Sequence, residues 1–234
     1  MKTHTFAWQS EHPFKHLVID EFFPTQLALQ ISQDFDKVQD FWVHYNNALE
    51  HKSTMNYWGA FPASIYKAMQ HLVSPDFVQH LVHLTGCTLY ADAGLHGAGM
   101  HRHISGGKLN PHLDYSIHPK LLLERRLNLI VYLTPDWHKD FGGHLGMWSE
   151  PSELVKEVMP KFNRAVLFDT TNSLHGLSRP VQCPEDFARK SLAVYYLCEP
   201  RPQAEERYRA LYSPAKGQEN DPSVLELIAQ RSRG

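Results

Sequence analysis

A chain of 234 residues, 42% hydrophobic and 12% aromatic, is long enough for one sizeable core. A formal charge of -2 gives no electrostatic case for nucleic acid or an anionic membrane as partner, and no run is long and apolar enough to span a bilayer. The opening Met1-Lys2-Thr3-His4-Thr5-Phe6-Ala7-Trp8 lacks the apolar stretch of a secretory leader, and Cys87, Cys183 and Cys198 are an odd set without CxxC spacing. Reduced thiols and a cytoplasmic setting are therefore expected.

The first third reads mostly as helices after one short strand, His16-Leu17-Val18-Ile19. Pro24 opens a helix that carries Leu27, Ile31, Phe35 and Val38 on one face, a period near 3.6. A second helix is expected from Pro62 to Val73. A third has Ser74 as N-cap, Pro75 in its first turn and Gly86 as its stop. From about Leu89 to Cys198 the texture changes to short β-rich runs. Leu127 to Leu133 (LNLIVYL) and Ser191 to Cys198 (SLAVYYLC) are dense in strand formers, and Arg164 to Phe168 (RAVLF) is shorter. Turns are marked at Ser105-Gly106-Gly107, Pro135-Asp136 and Gly142-Gly143. Many short strands at this spacing fit a mainly β sandwich or jelly roll, packed on one side by the N-terminal helices. One domain over residues 1–200 is expected, helical to about 87 and β-rich from about 88. A charged tail, 201–234, follows, with a short helix over Ser223 to Arg231.

One ordered set stands out: His112-Leu113-Asp114, then His175, then Arg189. Two imidazoles and one carboxylate form the facial triad of non-haem Fe(II) oxygenases, a donor set that leaves half the coordination sphere open. On a strand, His112 and Asp114 leave the same face, so the third ligand is expected from a facing strand. A lone HxD carries little weight among 16 histidines, and His138-Lys139-Asp140 is a second one, expected in a loop. Arg189 is the candidate fork for the far carboxylate of a ketoacid, with Arg179 as its rival. Tyr132 and, four residues earlier, Asn128 are candidate hydrogen-bonding partners of the same carboxylate. His101 and His103, flanking Arg102, read as pocket lining or surface. With metal, aspartate, dianionic co-substrate and one arginine, the formal charges sum to about zero, which makes a buried site tolerable.

Beyond these residues, the chain resembles the prolyl 4-hydroxylase-like branch of the Fe(II)/2-oxoglutarate dioxygenases, most strongly over His103 to Leu197. Gly106, Leu109, His112 and Asp114 follow the GxxLxxHxD run of that family. RLNLIVYLTPDW (126–137), the turn Gly142 to Trp148, Asn163 to Asp169 with His175-Gly176, and the strand from Arg189 to Tyr196 follow its later pattern. The resemblance implies a double-stranded β-helix with His112, Asp114 and His175 as iron ligands and Arg189 and Tyr132 as co-substrate contacts. It implies oxidative decarboxylation of 2-oxoglutarate by O2 coupled to C–H hydroxylation, with ascorbate a candidate reductant. The primary substrate would be a prolyl residue of a protein or peptide; a free amino acid, sugar or other small metabolite is the alternative. His103 stands where many members have a tyrosine, and Pro180 to Glu185 lengthens the approach to Arg189. A non-catalytic cupin-like metal module is the reading from another class, against which Arg189 and Tyr132 count.

Overall fold

The computed structural model describes residue 8 and residues 10–232; nearly all of the opening Met1 to Trp8 stretch lies outside them. In chain order the elements are β1 (His16–Ile19), α1 (Thr25–Phe35), β2 (Val43–Asn46), β3 (Glu50–Met55), α2 (Ala63–Leu72) and α3 (Pro75–Thr85). Next come β4 (Tyr90–Ala91), β5 (Gly99–His103), β6 (Lys108–Leu109), β7 (His112–Leu113), β8 (Glu124–Tyr132), β9 (Leu145–Glu150) and β10 (Glu153–Val158). The chain finishes with β11 (Ala165–Asp169), β12 (Leu174–Leu177), β13 (Arg189–Cys198), β14 (Leu211–Tyr212) and α4 (Pro222–Ser232).

The strands form two antiparallel sheets. The larger runs β1-β11-β8-β13-β5-β3-β2, with β4 paired to β13 and β6 to β3. The smaller runs β10-β9-β12-β7-β14. Strand periodicity explains how the larger sheet buries both faces. Leu127, Leu129 and Val131 of β8, with Leu192, Val194 and Tyr196 of β13, join Ile31, Phe35, Ile65, Met69 and Leu72 of the helices in one apolar cluster. Their alternates turn inward, where Tyr132, Val166 and Phe168 pack against Leu145 and Met147 of the smaller sheet. This is the jelly-roll sandwich expected from the strand texture, with the helices on one outer face.

The helices follow their sequence signals. The Ser74 hydroxyl accepts a hydrogen bond from the Phe77 amide, Pro75 begins α3, and Gly86 ends it in the left-handed region at φ 68°. Two expectations need correction. The stretch between α1 and α2 is a β-hairpin, β2–β3, which adds two strands to the larger sheet through β5. Its outer strand is exposed along its whole length, so it lacks the apolar alternation that identifies a half-buried strand. The segment after residue 200 is also bound into the sandwich: β14 pairs with β7, and Val224 of α4 is buried.

Gly99, at the start of β5, has φ +95°, and an added Cβ would stand 2.4 Å from the Met55 carbonyl oxygen. Gly99→Ala should therefore destabilise the protein by about 3 kcal/mol. Gly86→Ala, strained at φ +68° but with nothing within 4 Å, should cost about 1 kcal/mol. Urea unfolding of both variants checks the difference, and equal losses would contradict the close-approach argument.

Candidate metal and ketoacid site

The smaller sheet brings two of the three predicted ligand residues side by side. His112 on β7 and His175 on β12 are register partners, so the second imidazole comes from the hydrogen-bonded neighbouring strand rather than from a facing one. Their ring centroids are 4.4 Å apart. Gly176 permits this approach, because a Cβ there would meet the Leu109 and Asn110 carbonyl oxygens at 2.7 Å. β7 ends at Leu113, and Asp114 lies just beyond it, buried. Its carboxylate is 3.6 Å from His112 Nε2 and 3.9 Å from His175 Nε2. One ligand atom from each of the three falls within 4.8 Å of the others, the one such group found among the described residues.

The tautomers of the two rings are set by the backbone. His112 Nδ1 donates to the Asn110 carbonyl at 3.0 Å and His175 Nδ1 to the Ser173 carbonyl at 2.8 Å. A carbonyl can only accept, so in each neutral ring the lone pair is on Nε2, facing Asp114. Burial and the neighbouring His112 lower His175 to about 4. Burial alone would raise the Asp114 carboxyl, but Arg125, with His112 and His175, outweighs it and holds the group well below the usual range. Asp114 Oδ2 accepts no hydrogen bond from the described residues. Two imidazole lone pairs and an under-satisfied carboxylate converging on one point fit a divalent metal.

Beside the triad opens a cavity of about 160 Å³. His103, Asn128 and Arg189 line it, and the Tyr132 ring lies against the Arg189 guanidinium. Arg189 begins β13 opposite His103 and is 4% exposed. Its Nε donates to the Gly143 carbonyl at 2.7 Å, its guanidinium lies 4.8 Å from the centre of the Tyr132 ring, and no carboxylate among the described residues pairs with it. Burial lowers its pKa. The Tyr132 hydroxyl, Asn128 Oδ1 and both ring nitrogens of His103 are buried without hydrogen-bond partners among the described residues. One unpaired cation amid idle donors and acceptors is a cradle for an anion. The rival Arg179 is half exposed and pairs with Glu157 at 3.5 Å, outside this cavity. The second HxD is likewise a surface pair, His138 and Asp140 being 59% and 71% exposed.

Arg125, which sequence reasoning missed, also lines the cavity. It is 2% exposed, lies 3.4 Å and 3.3 Å from the ring centres of Tyr115 and Tyr195, and places Nη1 3.3 Å from Asp114 Oδ2. Strict alternation from Asn128, Ile130 and Tyr132 would turn Arg126 inward instead. The β8–β13 register shifts between Tyr196 and Leu197, so Arg125, paired with Leu197, takes the inward face. Arg126 then pairs with Asp169 and Thr171. Arg125 also adds a positive charge that the near-zero sum over metal, Asp114, co-substrate and Arg189 did not include. Tyr212 was likewise missed, being in the tail: its ring stacks on His112 at 5.2 Å.

The sandwich and the buried two-histidine, one-carboxylate cluster beside an unpaired arginine define a class, the non-haem iron and ketoacid oxygenases. Residues 98–197 match the family model of the 2OG-Fe(II) oxygenase superfamily, and it is this superfamily that the chain resembles. Prolyl 3-hydroxylase OGFOD1 of Mus musculus is 29% identical over 110 residues, covering 40% of this chain and 20% of the relative. The Xenopus laevis protein of that name is 27% identical over 172 residues, covering 71% and 32%. The chain thus spans under a third of the length of these curated relatives. In fold it is similar to a prolyl hydroxylase from Trichoplax adhaerens, solved with a hypoxia inducible factor peptide fragment. That match has a TM-score of 0.59 at 16% identity and covers 78% of this chain and 83% of the other.

Burial, with Lys52 and Arg189 nearby, lowers His101 on the cavity wall to about 3. In the unfolded chain it titrates near 6.5, so below that pH the unfolded state binds a proton that the folded state refuses. This contribution is fully present above pH 6.5 and is lost as pH falls. The urea midpoint of the metal-free protein should therefore decrease between about pH 6.5 and about pH 5. The decrease should be smaller in His101→Gln; the same slope in both proteins would remove His101 from the account.

Proposed function

We propose that His112, Asp114 and His175 hold Fe(II) and that Arg189, with Tyr132, receives the far carboxylate of 2-oxoglutarate. Asn128 and His103 complete the polar lining of that end. The observation that carries this reading is the buried, carboxylate-free guanidinium of Arg189 opening on the same cavity as the three converging donors. When bound, iron and 2-oxoglutarate supply O2-dependent oxidative decarboxylation coupled to hydroxylation of a C–H bond. Arg189 binds and orients, its planar fork matching a carboxylate edge. Tyr132, whose pKa burial raises, keeps its proton and donates it as a hydrogen bond. Arg125 restrains the Asp114 carboxylate by its charge, and the apolar walls Ile130, Leu145 and Leu177 keep water from the reacting centre.

The primary substrate of this reading is a prolyl residue of a protein or peptide, supported by relatives whose names are those of prolyl hydroxylases. We assign residues 1–200 to a single oxygenase domain with the tail docked on it. Three unpaired cysteines support a reducing, cytoplasmic setting, and no helix among the described residues is long and apolar enough to cross a membrane.

Anaerobic addition of Fe(II) and 2-oxoglutarate should produce a visible metal-to-ligand charge-transfer band. Asp114→Ala should abolish both the band and succinate formation while the circular dichroism stays that of the parent. Arg189→Met should keep metal binding but raise the KM for 2-oxoglutarate about 100-fold. Unchanged turnover in Asp114→Ala would refute the metal assignment, and an unchanged KM in Arg189→Met the ketoacid assignment. Mass spectrometry of treated peptides, scored for a gain of one oxygen on proline, tests the substrate.

A further inference from the structure

The segment beyond Cys198 lies outside the 98–197 family match, yet it hydrogen-bonds to the backbone that carries the ligand residues. Arg207, 6% exposed, is at the centre of them. Its Nε donates to the Asp114 carbonyl at 3.3 Å and its Nη2 to the Thr171 carbonyl at 3.2 Å, while Nη1 pairs with Glu205. The first carbonyl belongs to a ligand residue itself. The second is in the turn that leads through Ser173, the acceptor of the His175 Nδ1 proton, into β12.

The backbone of Arg207 is held as firmly. Its amide donates to the Ser116 hydroxyl at 2.8 Å, and its carbonyl accepts from the Ser116 amide at 2.7 Å and the Ile117 amide at 3.2 Å. The guanidinium therefore projects from a fixed base. Downstream, β14 pairs along β7, with Tyr212 opposite His112, and the Ser213 amide donates to the Pro111 carbonyl at 2.8 Å. β7 is two residues long and Asp114 follows it without strand pairing, so neither is positioned by a long ladder of its own.

We propose that Arg207 is a positioning residue of the metal site, a fork that ties the loop carrying Asp114 to the loop preceding His175 and so sets the spacing of the triad. The proposal rests on the assignment of these three residues as metal ligands. Arg207 touches no ligand atom. It acts through two backbone carbonyls on either side of the site, which one flexible ammonium cannot bridge as a planar fork does.

Titration of the full chain with Mn(II), read by loss of the free-ion electron paramagnetic resonance signal, tests this apart from catalysis. The parent should bind one Mn(II), and His175→Ala should not. A parent that binds none, or a His175→Ala variant that binds as well, overturns the ligand assignment and this inference with it. Given binding by the parent, Arg207→Met should weaken it about 10-fold to about 100-fold. Arg164→Met, which breaks the Asp20 ion pair and touches no residue of the triad, should change thermal stability but not Mn(II) affinity. Arg207→Lys keeps the charge without the fork and should recover only part of the affinity. If Arg207→Met does not fold, the lysine variant decides alone. Parent-like Mn(II) affinity in folded Arg207→Met, or full recovery in Arg207→Lys, overturns the clamp while leaving the ligand assignment intact.

Discussion

A carboxylate buried between two sheets is costly unless its surroundings replace the water it has lost, and the architecture around Asp114 is built on that compensation. Arg125 supplies the countercharge 3.3 Å away, and the imidazoles of His112 and His175 turn their free nitrogens toward the same point. Backbone carbonyls at Asn110 and Ser173 fix both rings. The remaining deficit is one unsatisfied carboxylate oxygen, Oδ2. A divalent ion would complete this electrostatics, so the organisation that makes the fold tolerable also makes the site chemically capable.

The two buried arginines divide the cavity between them. Arg125 is sandwiched by Tyr115 and Tyr195 and spent on Asp114, whereas Arg189 rests on Tyr132 and one carbonyl and keeps its terminal nitrogens for a ligand. A paired cation is structure; an unpaired one at similar depth is a binding group. The same distinction disposes of Arg179, whose charge is spent on Glu157 at the surface.

Much of the fold was legible because local signals agreed with burial. The apolar face of α1, the Ser74 and Gly86 caps of α3, and the dense strands β8 and β13 all bury what their periodicity predicted. The β2–β3 hairpin was not legible. An outer strand with all four residues exposed has no buried face to betray it, and its place is set by pairing to residues far along the chain. The tail was hidden for a related reason: β14 is two residues long, and only its partner β7 makes it a strand.

By itself, the sequence determined the residue types and their order: the HxD pair, the later histidine, the arginine that starts a strand, and the periodicity that folds them into a sandwich. Chemistry and spacing are local properties, and a single chain displays them. Only the tertiary structure decided which of two adjacent arginines faces the carboxylate, since one extra residue in β8 reverses the alternation there. It also decided that Arg207 and Tyr212, some 90 residues or more from Asp114 in the chain, abut its loop and His112. Such contacts depend on register and on distant backbone meeting in space, and neither leaves a periodic trace along the sequence.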